Sequence, residues 1–268
     1  IPVQSADHLV DLATPGVDAR TARRCEDVSM GTVTIASTFC GPPTSGHGGY
    51  SAGLFAEMSG LVDPAVMLRL PPPLDTELDI VHTDEGAELR HGDDLIATAV
   101  PADVDVGAPH IVSPADALVG QEHYQWLTDH PFPTCYGCGP DRADGWRTFA
   151  GRLGETDTTA STLTVPPHAP ADDGTLPLRE IWAALDCVTA TPLGVVDAPL
   201  TPPWVLGRLA VRQLGPVTAT DELVATAWPL EHEGRKMRSA GCLIANGEVA
   251  GIADATWIQL RAEWTPPR

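Results

Sequence analysis

The sequence predicts an α+β fold made of two tandem copies of one unit: a strand, a glycine-rich loop, a buried helix and a run of antiparallel strands. Three observations carry this. The order strand, loop, helix, strands occurs over residues 30–104 and again over 158–262. Short stretches echo between the halves: "LRLPPPLDTEL" (68–78) parallels "VRQLGPVTATDEL" (211–223), and "EGAELRHGDDLIATA" (85–99) loosely parallels "EGRKMRSAGCLIANG" (233–247). The element order recurs with a period of roughly 130 residues, which is that of a duplicated domain, since solenoid repeats run about 20–50.

The elements follow in order. Residues 1–29 contain "ADHLVDLATPGVDARTARRCED", which suggests a short helix, a Pro-Gly break and a polar approach to the first strand. "MGTVTIASTFC" (30–40) alternates and is β-branched, as a strand requires, while "YSAGLFAEMSG" (50–60) has the apolar spacing of a buried helix. Strands are expected at 65–70, 77–84 and 94–104, with "PPPLD" and "EGAELRHGD" as the turns between them. The stretch 108–134, rich in Pro, His and polar residues, has the character of a linker with a short helix. Beyond it come an alternating strand (158–165), a Pro/Gly loop (166–177), a helix (178–191) and strands at 208–215, 221–234, 235–247 and 249–262. The division falls between an N-terminal unit, 1–120, and a C-terminal unit, 121–268.

Composition narrows the function. With 43% hydrophobic and 19% charged residues the chain has ample apolar material for a core. Its 36 acidic against 16 basic residues give a formal charge of −20, which repels a phosphate backbone or an anionic bilayer and argues against nucleic-acid or membrane partners. Lys236 is the sole lysine, so an anionic ligand must be met by arginine or by backbone N–H groups. Six cysteines in 268 residues are too few for a disulfide scaffold, no run of about 18 apolar residues appears, and the opening "IPVQSADHLVDLATPG" lacks the basic-then-apolar pattern of a secretory leader. A cytoplasmic protein is expected.

The stretch "SGHGGYSAGLFAEM" (45–58) resembles the His-Gly-Gly entry to the central helix of hotdog acyl-CoA thioesterases of the phenylacetate type. "PTCYGCGPDRADGWRTFAG" (133–151), "WAALDC" (182–187) and the ending "GIADATWIQL" (251–260) resemble segments of an actinobacterial thioesterase-like group. The resemblance implies a double hotdog, in which each half wraps a curved antiparallel sheet around one long central helix. It also implies hydrolysis of an acyl-CoA or carrier-bound thioester, with coenzyme A as part of the substrate and no separate cofactor, and it allows a homodimer of such chains.

A helix N-terminus offers unpaired N–H groups and the positive end of the macrodipole, which suit the oxyanion of thioester hydrolysis. On that reading Gly48 and Gly49 free the backbone for a close approach and His47 orients substrate or water; otherwise the loop merely allows strand-to-helix packing. The resemblance pairs this entry with a carboxylate on the opposite central helix, and the matching residue is Asp186. An Asp inside an apolar helix is locally costly without a partner or a task. It serves either as a base toward water or as a carboxylate bonded to a neighbouring strand. In the first half the same register falls near Glu57 where the family has Asp, and "DGTLPLRE" (173–180) replaces the HGG entry in the second half. One complete site per chain is therefore expected, with Asp186, His47, Gly48 and Gly49 on one side and Glu57 in a degenerate counterpart. A hydratase or dehydratase using His47, or a non-catalytic binder of acyl thioesters or small hydrophobic ligands, are the alternatives.

Cys135 and Cys138 form a C-x-x-C, but no second C-x-x-C supplies the remaining ligands of a zinc site, so a turn with buried thiols is expected and no metal. Arg235, Lys236 and Arg238 in "RKMR" are the densest positive cluster. They are candidates for the phosphates of coenzyme A, supported by Arg142, Arg147, Arg208 or Arg212, although on an alternating strand they read equally as a solvated edge.

Overall fold

The computed structural model describes residues 29–263, so the short helix expected before residue 29 lies outside the described residues. In chain order the elements are β1 (Ser29–Thr34), α1 (Gly48–Ser59), β2 (Pro64–Leu68), β3 (Glu77–His82), β4 (Ala87–His91) and β5 (Asp94–Pro101). Then follow α2 (Pro114–Glu122), β6 (Gly151–Arg152), β7 (Thr159–Leu163), α3 (Leu178–Ala190), β8 (Trp204–Gln213), β9 (Leu223–Glu233), β10 (Lys236–Ala245) and β11 (Glu248–Gln259).

All eleven strands join one antiparallel sheet, in the order β1-β3-β4-β5-β2-β8-β11-β10-β9-β7-β6. Strands from the first 101 residues occupy one end and strands from residue 151 onward the other; they meet where β2 pairs with β8 through Ala65↔Ala210, Val66↔Leu209 and Met67↔Arg208. Side chains alternate across this seam. Val66 and Leu209 enter the main core with both long helices, whereas Ala65 and Ala210 belong to a second apolar layer on the other face. That outer layer is covered by Val104, Val106 and Ala117 of α2, so the 102–122 segment packs against the sheet. The division expected at 120/121 falls inside α2, whose Ser113 cap accepts the Asp116 N–H.

Helices α1 and α3 pack against each other on the inner face. α3 is buried from Glu180 to Ala190, which explains why its apolar residues run almost all the way round it. Two glycines set the closeness of the crossing. A Cβ on Gly49 would lie 2.4 Å from Asp186 Cβ, and one on Gly53 would lie 2.7 Å from Arg179 Cα. At Gly49, then, the glycine serves helix-to-helix packing. α1 ends in Gly60, whose φ of 67° closes the last turn in a conformation that favours glycine.

One local reading needs correction, and one short strand has no reading. "EGAELRHGD" contains β4, whose Ala87 and Leu89 are buried between more exposed Glu88 and Arg90; the strand spans only 5 residues between Gly86 and Gly92, so turn residues dominate its pattern. The two-residue strand β6 is equally short of any periodic signal. No helix among the described residues is long and apolar enough to cross a membrane.

Candidate functional site

The four leading N–H groups of α1 account for the chemistry at its entrance. The Ser51 N–H donates to the His47 carbonyl at 2.9 Å, and the Tyr50 N–H donates to His47 Nδ1 at 3.1 Å, making His47 the helix cap. The Gly49 N–H donates to Asp186 Oδ2 at 2.6 Å. The Gly48 N–H has no acceptor among the described residues, and Gly48 lines a cavity of about 540 Å³.

Because a backbone N–H can only donate, Nδ1 of His47 must be its acceptor, and the proton of the neutral ring resides on Nε2. That nitrogen lies 3.3 Å from Asp186 Oδ2 and 3.2 Å from Cys187 Sγ. Burial works to lower the His47 pKa, but nearby Cys135 and Asp186 outweigh it and the net shift is upward. Asp186 is buried, and its Oδ1 has no partner among the described residues. Burial pushes its pKa up to about 6, against the opposing pull of His47 and the Gly49 N–H.

The segment 133–149 forms no helix or strand, yet it is fixed tightly over this entrance. Its Tyr136 N–H donates to the Cys40 carbonyl at 2.8 Å, and Tyr136 Oη and Trp146 Nε1 both donate to Glu180 Oε2, at 2.8 and 3.0 Å. Glu180 sits in the first turn of α3 and burial raises its pKa. The loop thereby delivers Cys135 and Cys138 to the cavity wall beside Cys187. Cys135 Sγ is 3.9 Å from Cys187 Sγ. Hydrogen bonds from Cys138 and Cys187 draw the Cys135 thiol well below its usual pKa, while those same contacts push Cys138 and Cys187 upward. Gly137 makes the convergence sterically feasible, since a Cβ there would lie 2.4 Å from Cys187 Sγ and 2.5 Å from His47 Nε2.

His47 Nε2 and the sulfurs of Cys135 and Cys187 lie within 4.8 Å of one another, a set of donor types that suits a soft metal. Coordination through Nε2 would require its proton to move to Nδ1, where the Tyr50 N–H already points. The tautomer thus opposes a metal at this nitrogen.

The remaining cavity wall is mainly apolar, with Trp126, Phe132, Leu193, Trp204, Leu206 and Trp257 among its residues. Of the expected site residues, the structure brings His47, Gly48, Gly49 and Asp186 together. Glu57 is not among them: its Oε2 pairs with Arg179 Nη1 at 2.8 Å between the two helices, away from the cavity lining. The "RKMR" cluster also lies off the cavity. Arg238 is held by Asp254 at 2.9 Å, Arg235 donates to the Gln259 carbonyl, and Lys236 is exposed on a strand whose next residue, Met237, turns into the core. Arg142 is engaged with Asp144 and with the Thr38 carbonyl, Arg147 with the Pro140 and Arg142 carbonyls, Arg208 with Asp254, and Arg212 with Asp103. The arginine that lines the cavity is Arg69, exposed and without a side-chain partner among the described residues. Sequence reasoning missed Glu180, Cys187 and Gly137. The seven-residue spacing of Glu180 and Cys187, which puts both on one face of α3, is a signal that was present in the pattern.

A scan of protein-family models and a search of curated proteins return no match. Solved structures do match. A conserved protein of unknown function with a hot dog fold from Alicyclobacillus acidocaldarius superposes with a TM-score of 0.58 at 11% identity, covering 86% of this chain and 92% of the other. A candidate thioesterase from Novosphingobium aromaticivorans gives 0.56 at 12% identity, covering 86% and 95%. A tesB protein of Mycobacterium avium subsp. paratuberculosis gives 0.53 at 11% identity, covering 81% and 88%. The architecture of this chain is the hotdog fold that these proteins share.

Proposed function

We propose that the protein hydrolyses an acyl-CoA or carrier-bound acyl thioester at one site between two hotdog halves. The observation that carries this reading is the pairing of Asp186 with the α1 entrance: a buried carboxylate with a free Oδ1, next to the unpaired N–H of Gly48, in the wall of one large apolar cavity. The double-hotdog arrangement is supported by the seam between β2 and β8, which joins two strand sets each facing its own long helix. In this reading the halves are the N-terminal and C-terminal units on either side of α2.

The division of labour follows from the geometry. The Gly48 N–H meets the oxygen that becomes negative as the thioester carbonyl turns tetrahedral, a contact of the kind worth about 3 kcal/mol. The Gly49 N–H is spent on Asp186, fixing its carboxylate in the cavity wall, where it takes a proton from water. The His47 Nε2–H steadies Oδ2 from the other side. The acyl group occupies the apolar wall, and Arg69 meets a phosphate of coenzyme A.

The test is thiol release from acetyl-, isobutyryl-, benzoyl- and octanoyl-CoA by wild type and Asp186→Asn, with binding followed by calorimetry. Turnover that falls by about 10²- to 10⁴-fold in the variant while binding persists supports the reading. Saturable binding with no turnover of any thioester by wild type would instead identify a ligand-binding protein.

A further inference from the structure

We propose that Cys135 and Cys187 form an oxidation site in the cavity wall: a peroxide converts the pair reversibly to a disulfide, and the disulfide slows thioester hydrolysis. The bond itself is independent of the hydrolase reading above; its effect on turnover rests on that reading.

The fold brings these two thiols into contact from separate elements. Cys135 Sγ lies 3.9 Å from Cys187 Sγ, and both side chains are buried and in no disulfide. A disulfide holds its sulfurs at about 2.0 Å, so an approach of about 2 Å closes the bond. The loop backbone already sits against α3, since a Cβ on Gly137 would lie 2.4 Å from Cys187 Sγ. Loop and helix are tied together again at the start of α3, where Glu180 Oε2 accepts from Tyr136 Oη and Trp146 Nε1. The two sulfurs are thereby kept close, which favours reaction between them over reaction with a thiol in solution. The contact selects Cys187 as the partner of Cys135, although Cys138 is nearer in sequence. A peroxide can reach them: both line the cavity of about 540 Å³, whose wall includes the exposed Arg69, Leu70 and Leu200.

The reaction balances in two steps. One sulfur attacks a peroxide oxygen, the O–O bond breaks, and a sulfenic acid and one water form. The second sulfur displaces the sulfenic oxygen, which leaves as a second water as the S–S bond forms. Two thiols give up two protons and two electrons, and one hydrogen peroxide takes them up. Either thiol can begin, because the product is the same. A dithiol reductant reverses the bond by exchange.

The effect on turnover follows from His47, whose Nε2 lies 3.2 Å from Cys187 Sγ and 3.3 Å from Asp186 Oδ2. In the disulfide the Cys187 sulfur has no S–H and accepts hydrogen bonds poorly, so the Nε2–H is left to Asp186. A carboxylate held more firmly by a donor is a weaker base toward water.

The experiment treats reduced wild type, freed of reductant, with hydrogen peroxide, blocks remaining thiols with N-ethylmaleimide, and maps the digest by mass without reduction. A linked pair of peptides containing Cys135 and Cys187 is expected. Release of coenzyme A from the four thioesters named above should fall on the order of tenfold, as a one-unit loss of base pKa allows. Dithiothreitol should reverse both changes. Cys135→Ser and Cys187→Ser should each lack the linked peptide; where either fails to fold, the wild-type map decides by itself. A bond mapped to Cys135 and Cys138, a bond to Cys40, oxidation to sulfinic acid without any bond, or a Cys135–Cys187 bond that leaves turnover unchanged overturns the proposal. If reduced wild type turns over none of the thioesters, the hydrolase reading falls together with the effect on turnover, and the map still decides whether the bond forms.

Discussion

Asp186 on α3 and Gly49 on α1 are 137 residues apart in sequence, yet Oδ2 of one accepts the N–H of the other at 2.6 Å. The bond is possible because Gly49 has no side chain to hold the helices apart. It stabilises the crossing and leaves the second carboxylate oxygen of Asp186 without a partner among the described residues, so one contact both packs the helices and fixes the carboxylate.

Gly49→Ala is expected to destabilise the protein. The new Cβ would lie 2.4 Å from Asp186 Cβ and 2.5 Å from the Trp182 carbonyl oxygen, and neither belongs to the far end of a flexible chain. A cost of about 1–3 kcal/mol is typical of overpacking a tight core. Urea unfolding of wild type and variant measures it, and an unchanged midpoint would mean the helices are farther apart than described.

Gly137→Ala should separate activity from stability. Here the clashes are with Cys187 Sγ and His47 Nε2, side-chain ends that can rotate away. The expected outcome is a small shift of the unfolding midpoint and a clear fall in coenzyme A release, because the groups displaced are those around Asp186. Both are read on the same preparation.

His47→Asn keeps a helix cap, since Asn can accept the Tyr50 N–H, but it removes the Nε2–H facing Asp186 and Cys187. Stability within about 1 kcal/mol of wild type and a loss of turnover are expected. Equal turnover would confine His47 to capping.

Glu57→Gln should leave turnover unchanged. The residue is partly exposed and paired with Arg179 at 2.8 Å, and such pairs contribute about 0–1 kcal/mol. A large loss of coenzyme A release would show that its distance from the cavity in this structure does not describe its role.

Glu180 gives a pH dependence with a defined sign. Burial raises its pKa, although the Tyr136 hydroxyl and Trp146 indole donate to it. A carboxyl raised in the folded state contributes stability that is fully present below its unfolded pKa of about 4.3 and is lost as pH rises through the folded value. Relative to wild type, Glu180→Gln should therefore have a flatter stability profile from mildly acidic to neutral pH. Urea midpoints across that range test it; parallel profiles would show that Glu180 titrates as an ordinary glutamate.

Local patterning was sufficient to place the elements that are long or strongly periodic. The helix expected at 178–191 appears at Leu178–Ala190, and the last three strands appear within a few residues of their expected bounds, because their inward side chains repeat over ten residues or more. Patterning also singled out His47, Gly48, Gly49 and Asp186, since a glycine pair at a helix entrance and a carboxylate in an apolar helix are both costly unless something answers them. It also singled out Arg235, Lys236, Arg238 and Glu57, which the structure sets away from the cavity lining, because charge can be counted along a chain but its neutralising partner cannot: Asp254 reaches Arg238 from the neighbouring strand, and Arg179 reaches Glu57 from the other helix. Packing alone decided the thiol cluster. Cys135 and Cys187 are 52 residues apart, one on an irregular loop and one on a helix, and no periodicity links them. They meet because Glu180 ties the loop down through Tyr136 and Trp146, and because Gly137 leaves room for them at the His47 ring.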